Sequence, residues 1–363
     1  MAAGFDIAGR LTITVEGLGG RDLDALGGHF DPYAPGPAPA EPDVVLAVSE
    51  RLRAPLTDIQ RNAGDGRVTA TDGARFYVLA DGARCAVPPP GGPPPARFEL
   101  EPGFPAGHAI RRLVRPALQV ALPARGAVAV HAAAVAIDGR AVLVGGWSES
   151  GKTETALALL EQGATFLSDK WTVVGEDTTA AAFPITVGVR GATLAHLPRL
   201  RAGLGRAPRA RLAAAGAARA VGRILPHDAV DRALMAADRV ALAPSAVRAA
   251  YGGGDDEPWR VPLGAVAVLT TVPGPVATAL PADPAWAAER LVQAAAFERR
   301  GLFELHDRAC WALPDRERGV RERLLAREQR LLAAILARVP VIEVRAPFPT
   351  DPGPVADALA ARL

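Results

Sequence analysis

Lysine is almost missing from this 363-residue chain: of 41 Lys and Arg residues, only Lys152 and Lys170 are lysine. Where arginine fills nearly every basic position, a retained lysine marks a place where a compact, flexible point charge serves and a planar fork does not. Cysteine is equally scarce. Cys85 and Cys310 lie far apart, which fits neither a disulfide framework nor a cysteine-based zinc site. Aromatic residues make up only 5%, so the core must be built from Ala, Leu and Val. The formal net charge of +2 gives no reason to expect nucleic acid or an acidic membrane as the main partner. No apolar run approaches the ~20 residues that a membrane helix needs, and Met1 to Asp6 shows no basic start leading into an apolar stretch. The expectation is a soluble, cytoplasmic protein with no nucleic-acid or membrane partner; a homo-oligomer is left open.

What the chain does contain is organised in two parts, in keeping with about 100–200 residues per domain. Residues 1–104 read as a β-rich N-terminal domain. Short alternating runs at 10–16, 43–49, 67–71, 75–80 and 97–101 are separated by Asp72-Gly73 and Asp81-Gly82 turns and by proline-rich loops at 32–42 and 88–95. Residues 105–363 read as an α/β domain. A helix is expected over 106–122, then buried strands over 127–137 and 141–145. A helix follows over 151–161, then a strand from 165, extended segments at 171–174 and 183–189, and a strong strand at 261–270. Helices at 284–300 and 317–338, a strand at 341–344 and a closing helix from 352 complete the pattern.

The chemistry concentrates after the second of those buried strands. Gly146-Trp147-Ser148-Glu149-Ser150-Gly151-Lys152-Thr153 fits G-x-x-x-x-G-K-[ST] at every fixed position and stands between a strand and a helix, the context the motif requires. In such a loop the backbone amides of Ser148 to Thr153 wrap a β-phosphate, and the helix that continues through Glu154 adds its dipole. Lys152 reaches the β- and γ-phosphates, and the Thr153 hydroxyl is a ligand for Mg²⁺. Trp147 is suited either to cover the nucleotide or to plug the loop against the sheet. Asp169 closes the short strand after the loop helix, where a carboxylate can hold Mg²⁺ or accept a proton from an attacking hydroxyl. His131 sits in a nearly all-apolar strand, a setting equally suited to a core histidine and to a site residue. The acidic run Asp255-Asp256-Glu257 and the arginine-rich stretch 199–223 read as solvated surface.

The run from Val130-His131 through Gly146, Gly151-Lys152-Thr153-Glu154-Thr155-Ala156-Leu157 and Gly163 to Ser168-Asp169 resembles the catalytic core of the HPr kinase/phosphorylase family, above all its shorter members beside ribosomal-peptide gene clusters. Similarity spans about residues 128–174, with a fainter echo at Gly188-Val189-Arg190-Gly191. The resemblance implies a P-loop kinase domain of the HPr-kinase/PEP-carboxykinase-like type. It also implies ATP and Mg²⁺ as cofactors, Asp169 as catalytic base, His131 as an auxiliary residue of the phosphate site, and a serine on a small protein or peptide as acceptor. Three departures stand out: Lys170 replaces a second aspartate, Gly188 a metal-binding glutamate, and Glu149 the middle glycine of the loop. An NTP hydrolase and a non-catalytic nucleotide-binding module are the alternatives.

Overall fold

The computed structural model describes residues 2–19, 23, 26–50, 52–61, 67–194, 196–206, 209–210, 212–214, 239–254, 257–347 and 351–363. The chain is a mixed α/β protein. Its contacts divide it into two compact units that interleave along the sequence. The first comprises residues 1–130, 173–177 and 292–335; the second comprises 131–172, 178–291 and 336–363. Both the β-rich segment expected over 1–104 and the helix that follows it fall within the first unit.

The first unit is built on an eight-stranded sheet of β1 (Ala2–Ile7), β2 (Leu11–Glu16), β3 (Val44–Val48), β4 (Thr57–Arg61), β5 (Val68–Thr71), β6 (Phe76–Ala80), β7 (Ala83–Ala86) and β8 (Ala96–Leu100), in the order β1-β2-β3-β8-β7-β6-β5-β4. β6 and β7 form a hairpin whose two turn residues, Asp81 (φ 52°) and Gly82 (φ 80°), are both left-handed. That is the backbone a two-residue hairpin with the native strand twist demands. Helical backbone then runs over 106–121, although Pro116 interrupts it. Pro116 has no N–H to give, so the preceding turn widens: Ile110–Val114 is π-helical, and the Arg115 N–H reaches back to the Ile110 carbonyl. A 3-10 turn, Leu122–Arg125, leads into β9 (Ala127–Val130).

The expected single strand over 127–137 is broken at His131, where the chain bends before β10 (Ala132–Ile137). β10 runs antiparallel to β11 (Arg140–Gly146), and β12 (Thr165–Ser168) lies on the other edge of β10. β11 carries the loop motif at its end and is buried from Ala141 onward, which explains its unbroken apolar sequence. The segment expected over 183–189 is extended only at its end. Pro184 follows β14 (Thr179–Ala182), whereas β13 (Thr172–Gly175) precedes it and β15 (Val187–Arg190) comes after, paired with β16 (Arg239–Leu242). The long β17 (Arg260–Thr271) runs parallel to β11 on one side. On its other side β14 pairs with its first part and β19 (Val341–Ala346) with its second, and β18 (Thr278–Pro281) pairs with β19.

Helix Lys152–Glu161 packs on this sheet through Ala156, Leu157, Leu159 and Leu160, with helix Pro352–Ala360 beside it. Each fully buried leucine contributes about 1.5–3 kcal/mol by leaving water, which fixes the helix, and therefore the loop at its start, against β10 and β11. Among the described residues no helix is long and apolar enough to cross a membrane.

Candidate functional site

The loop leaves β11 at Gly146, whose φ of 148° is open to glycine. A Cβ there would lie 2.7 Å from Ser150 Oγ and 3.0 Å from the Leu269 carbonyl oxygen, so nothing larger fits. Trp147 follows with 53% of its surface exposed; it is not a plug against the sheet. The Trp147 carbonyl takes two donors, the Ser150 N–H at 3.3 Å and the Lys152 ammonium at 2.5 Å, so Lys152 ties its own loop across five residues while itself buried. Ser148 is half-buried. Glu149 adopts φ 63°, the left-handed backbone that glycine would take without strain. Its carboxylate stands 3.5 Å from the Arg190 guanidinium at the exposed end of β15. Gly151, at φ 89°, turns the chain into helix Lys152–Glu161. The first amides of that helix have no carbonyl four residues behind them, and Glu154 is the acidic residue of its first turn.

Asp169 is brought to the same place from the end of β12. Thr153 Oγ1 donates to Asp169 Oδ1 at 2.7 Å. The carboxyl is buried, and burial pushes its pKa up from the ordinary carboxylate value. The Thr153 hydroxyl and the Lys170 backbone N–H pull it back down, the nearby Glu154 raises it, and the Lys152 ammonium lowers it. Two residues on, the Trp171 N–H donates to the Asp169 carbonyl at 2.6 Å, closing a three-residue turn centred on Lys170 at φ 61°. A γ-turn with positive φ is the rare, strained form. Ser168 holds the turn from beneath: its hydroxyl donates to the Trp171 carbonyl at 2.5 Å and accepts the Phe183 N–H at 3.3 Å. His131 is buried, with its ring 5.3 Å from that of Trp171, so it packs against the strained turn. The neighbouring Ala132 carbonyl accepts the Thr172 hydroxyl at 3.0 Å.

The motif residues, Lys152, Thr153 and Asp169 thus meet at one edge of the β10–β11 sheet, with His131 joined to them through Trp171. No family model matches the chain, and no curated protein matches it. The site therefore has to be read from its own geometry.

Two contributors were not singled out from sequence. Arg190 was visible only as part of a faint four-residue echo, and nothing local indicates that β15 would carry it to Glu149. Ser168 gave a usable signal, a hydroxyl on the last residue of an apolar strand. Gly188 lies on β15 opposite Ala241 and brings no carboxylate. Asp255 and Asp256 fall outside the described residues, as do residues 215–223 of the arginine-rich stretch. Within that stretch Arg199 is exposed, yet its guanidinium is anchored, donating to the Leu160 and Tyr251 carbonyls.

A magnesium ion in a phosphoryl-transfer site takes one or two carboxylates, waters and the substrate's own phosphates rather than a protein cage. Among the described residues no three His, Cys, Asp or Glu gather as a metal cage. The Thr153 hydroxyl and Asp169 carboxylate, hard oxygen donors in contact with each other, fit the smaller set.

Proposed function

We propose that the chain is an ATP-dependent kinase that transfers the γ-phosphoryl group to a hydroxyl, that of a serine on a small protein or peptide. The observation that carries this reading is the contact between Thr153 and Asp169 beside a loop whose lysine is already folded across it. The loop amides and the Lys152 ammonium supply fixed positive charge where a triphosphate gathers negative charge, which is the main source of catalysis in this chemistry. Mg²⁺, when bound, offsets the charge of the β- and γ-phosphates; Thr153 and Asp169 are the residues that would hold it. Asp169 also takes the proton of the acceptor hydroxyl as its oxygen bonds to the γ-phosphorus and the bond to the ADP oxygen breaks. With no cation bound, burial raises the pKa of this carboxyl from the ordinary carboxylate value. His131 and Trp171 brace the turn that aims it.

A second reading, a nucleotide-binding module without turnover, is favoured by Gly188, which offers no second carboxylate. Incubation with γ-labelled ATP and the peptides and small proteins encoded beside the chain separates the two. Label on a peptide supports the kinase, and free phosphate alone makes the chain a hydrolase. Binding without turnover supports the module, and no binding removes all three.

A further inference from the structure

The first unit contains a cleft of about 660 Å³ between the proline-rich loop at 88–93 and one face of helix Val320–Leu336. Loop and helix are fitted to each other. Gly91, at φ 66°, brings the loop so close that a Cβ would lie 3.4 Å from Leu324 Cδ2. The helix faces the cleft with Val320, Arg323, Leu324, Arg327 and Arg330, spaced three and four residues apart as one helical face requires. Arg323 is already engaged, by an ion pair with Glu317 and a 3.2 Å hydrogen bond to the Arg318 carbonyl. Arg327 and Arg330 are exposed, and among the described residues neither forms an ion pair or hydrogen bond. Three arginines at i, i+4 and i+7 repel one another, which costs the helix stability. Around the whole cleft, four arginines stand against two carboxylates, Asp315 and Glu317. His306 lines it too; it is buried, with its Nε2 3.5 Å from Cys310 Sγ.

We propose that this cleft docks an extended acidic peptide segment. An apolar side chain of the segment lies against Val320, Leu324 and the prolines, and its carboxylates take the forks of Arg327 and Arg330. The guanidinium geometry suits carboxylates, which it can grip with two parallel hydrogen bonds. A wall of prolines has few N–H groups, so recognition runs through side chains and not through added strand pairing. Among the described residues the cleft has no Phe, Tyr or Trp in its lining to stack a base, which single-stranded nucleic acid would use, and its two carboxylates repel a continuous phosphate backbone. The inference holds whether or not the loop of the second unit binds a nucleotide.

Display of a random peptide library to the full-length protein tests it. The expected result is enrichment of peptides that combine Asp or Glu with Leu, Ile or Phe. A fluorescein-labelled copy of the strongest peptide should lose about tenfold or more in affinity with Arg327→Glu plus Arg330→Glu, and should weaken as salt is raised. Both positions are exposed and their replacement relieves the repulsion along the helix, so the double variant should keep or raise its melting temperature; the affinity of the milder pair Arg327→Ala and Arg330→Ala should fall between. Enrichment of peptides without acids, affinity unchanged in the double variant, or retention of RNA or anionic phospholipid vesicles in place of acidic peptides would overturn it.

Discussion

Asp169→Asn is the most informative single change, because it separates what the carboxylate does for chemistry from what it costs the fold. The amide oxygen can still accept the Thr153 hydroxyl, a 2.7 Å bond that then loses its charge assistance, worth about 1 kcal/mol. Against that loss stands the burial of an ionised group, whose cost after relaxation is several kcal/mol. The bond from the Lys170 N–H and the attraction of the Lys152 ammonium are weakened as well, but burial is the largest of these effects, so the balance favours the variant at neutral pH. Its sign with pH follows from the raised pKa of Asp169. Below the unfolded carboxyl value the group is protonated in both states and costs nothing. As pH rises from the unfolded toward the folded value the unfolded chain ionises while the native carboxyl stays protonated, so stability relative to Asn is lost across that window and levels off above it. Melting curves should therefore show Asp169→Asn more stable than wild type at pH 7.5, with a smaller gap at pH 4.5. Phosphoryl transfer should fall by about 10²–10⁴, the usual contribution of a positioned base, while fluorescent-nucleotide titration finds affinity within a few-fold. A variant less stable at pH 7.5, or one with full transfer activity, would refute the reasoning.

Glu149→Gly should release the left-handed strain at that residue, about 1–2 kcal/mol. It gives up only an exposed ion pair with Arg190, worth at most about 1 kcal/mol, so nucleotide affinity should stay or rise in a titration. Gly146→Ala should do the opposite: with a carbonyl 3.0 Å from the new methyl the loop must shift, and nucleotide binding should be lost in the same titration. In the first unit, Arg299 and Glu328 form a two-bond ion pair that is 1% and 0% exposed. Glu328→Gln should lower stability to urea by about 3–5 kcal/mol, whereas Arg299→Met with Glu328→Leu should recover most of it, because no unpaired charge then stays buried.

How far the sequence reached depended on whether a feature is decided locally. The loop was legible because glycine, lysine and threonine at fixed spacing answer to backbone geometry within eight residues. Asp169 was legible because it ends a strand on the matching side. The break at His131 was not: the run Ala127–Ile137 contains no turn residue, and its two halves belong to different compact units, a matter of tertiary contacts. The Asp81-Gly82 turn was visible, yet its second strand, Ala83–Ala86, is four residues long and too short to show alternation. Helix Arg300–Ala312 was missed because Arg299 and Arg300 look like the end of the helix before it, while burial of Leu302, Phe303, Leu305 and Ala309 restarts the pattern.

The tie between the Lys152 ammonium and the Trp147 carbonyl has a practical corollary. A phosphate that draws on this cation would compete with the Trp147 carbonyl for it, so binding is expected to loosen or share that contact. Because that indole stands half in solvent, an emission shift seen in the wild type and lost in a Trp147→Phe variant should report the change without a dye.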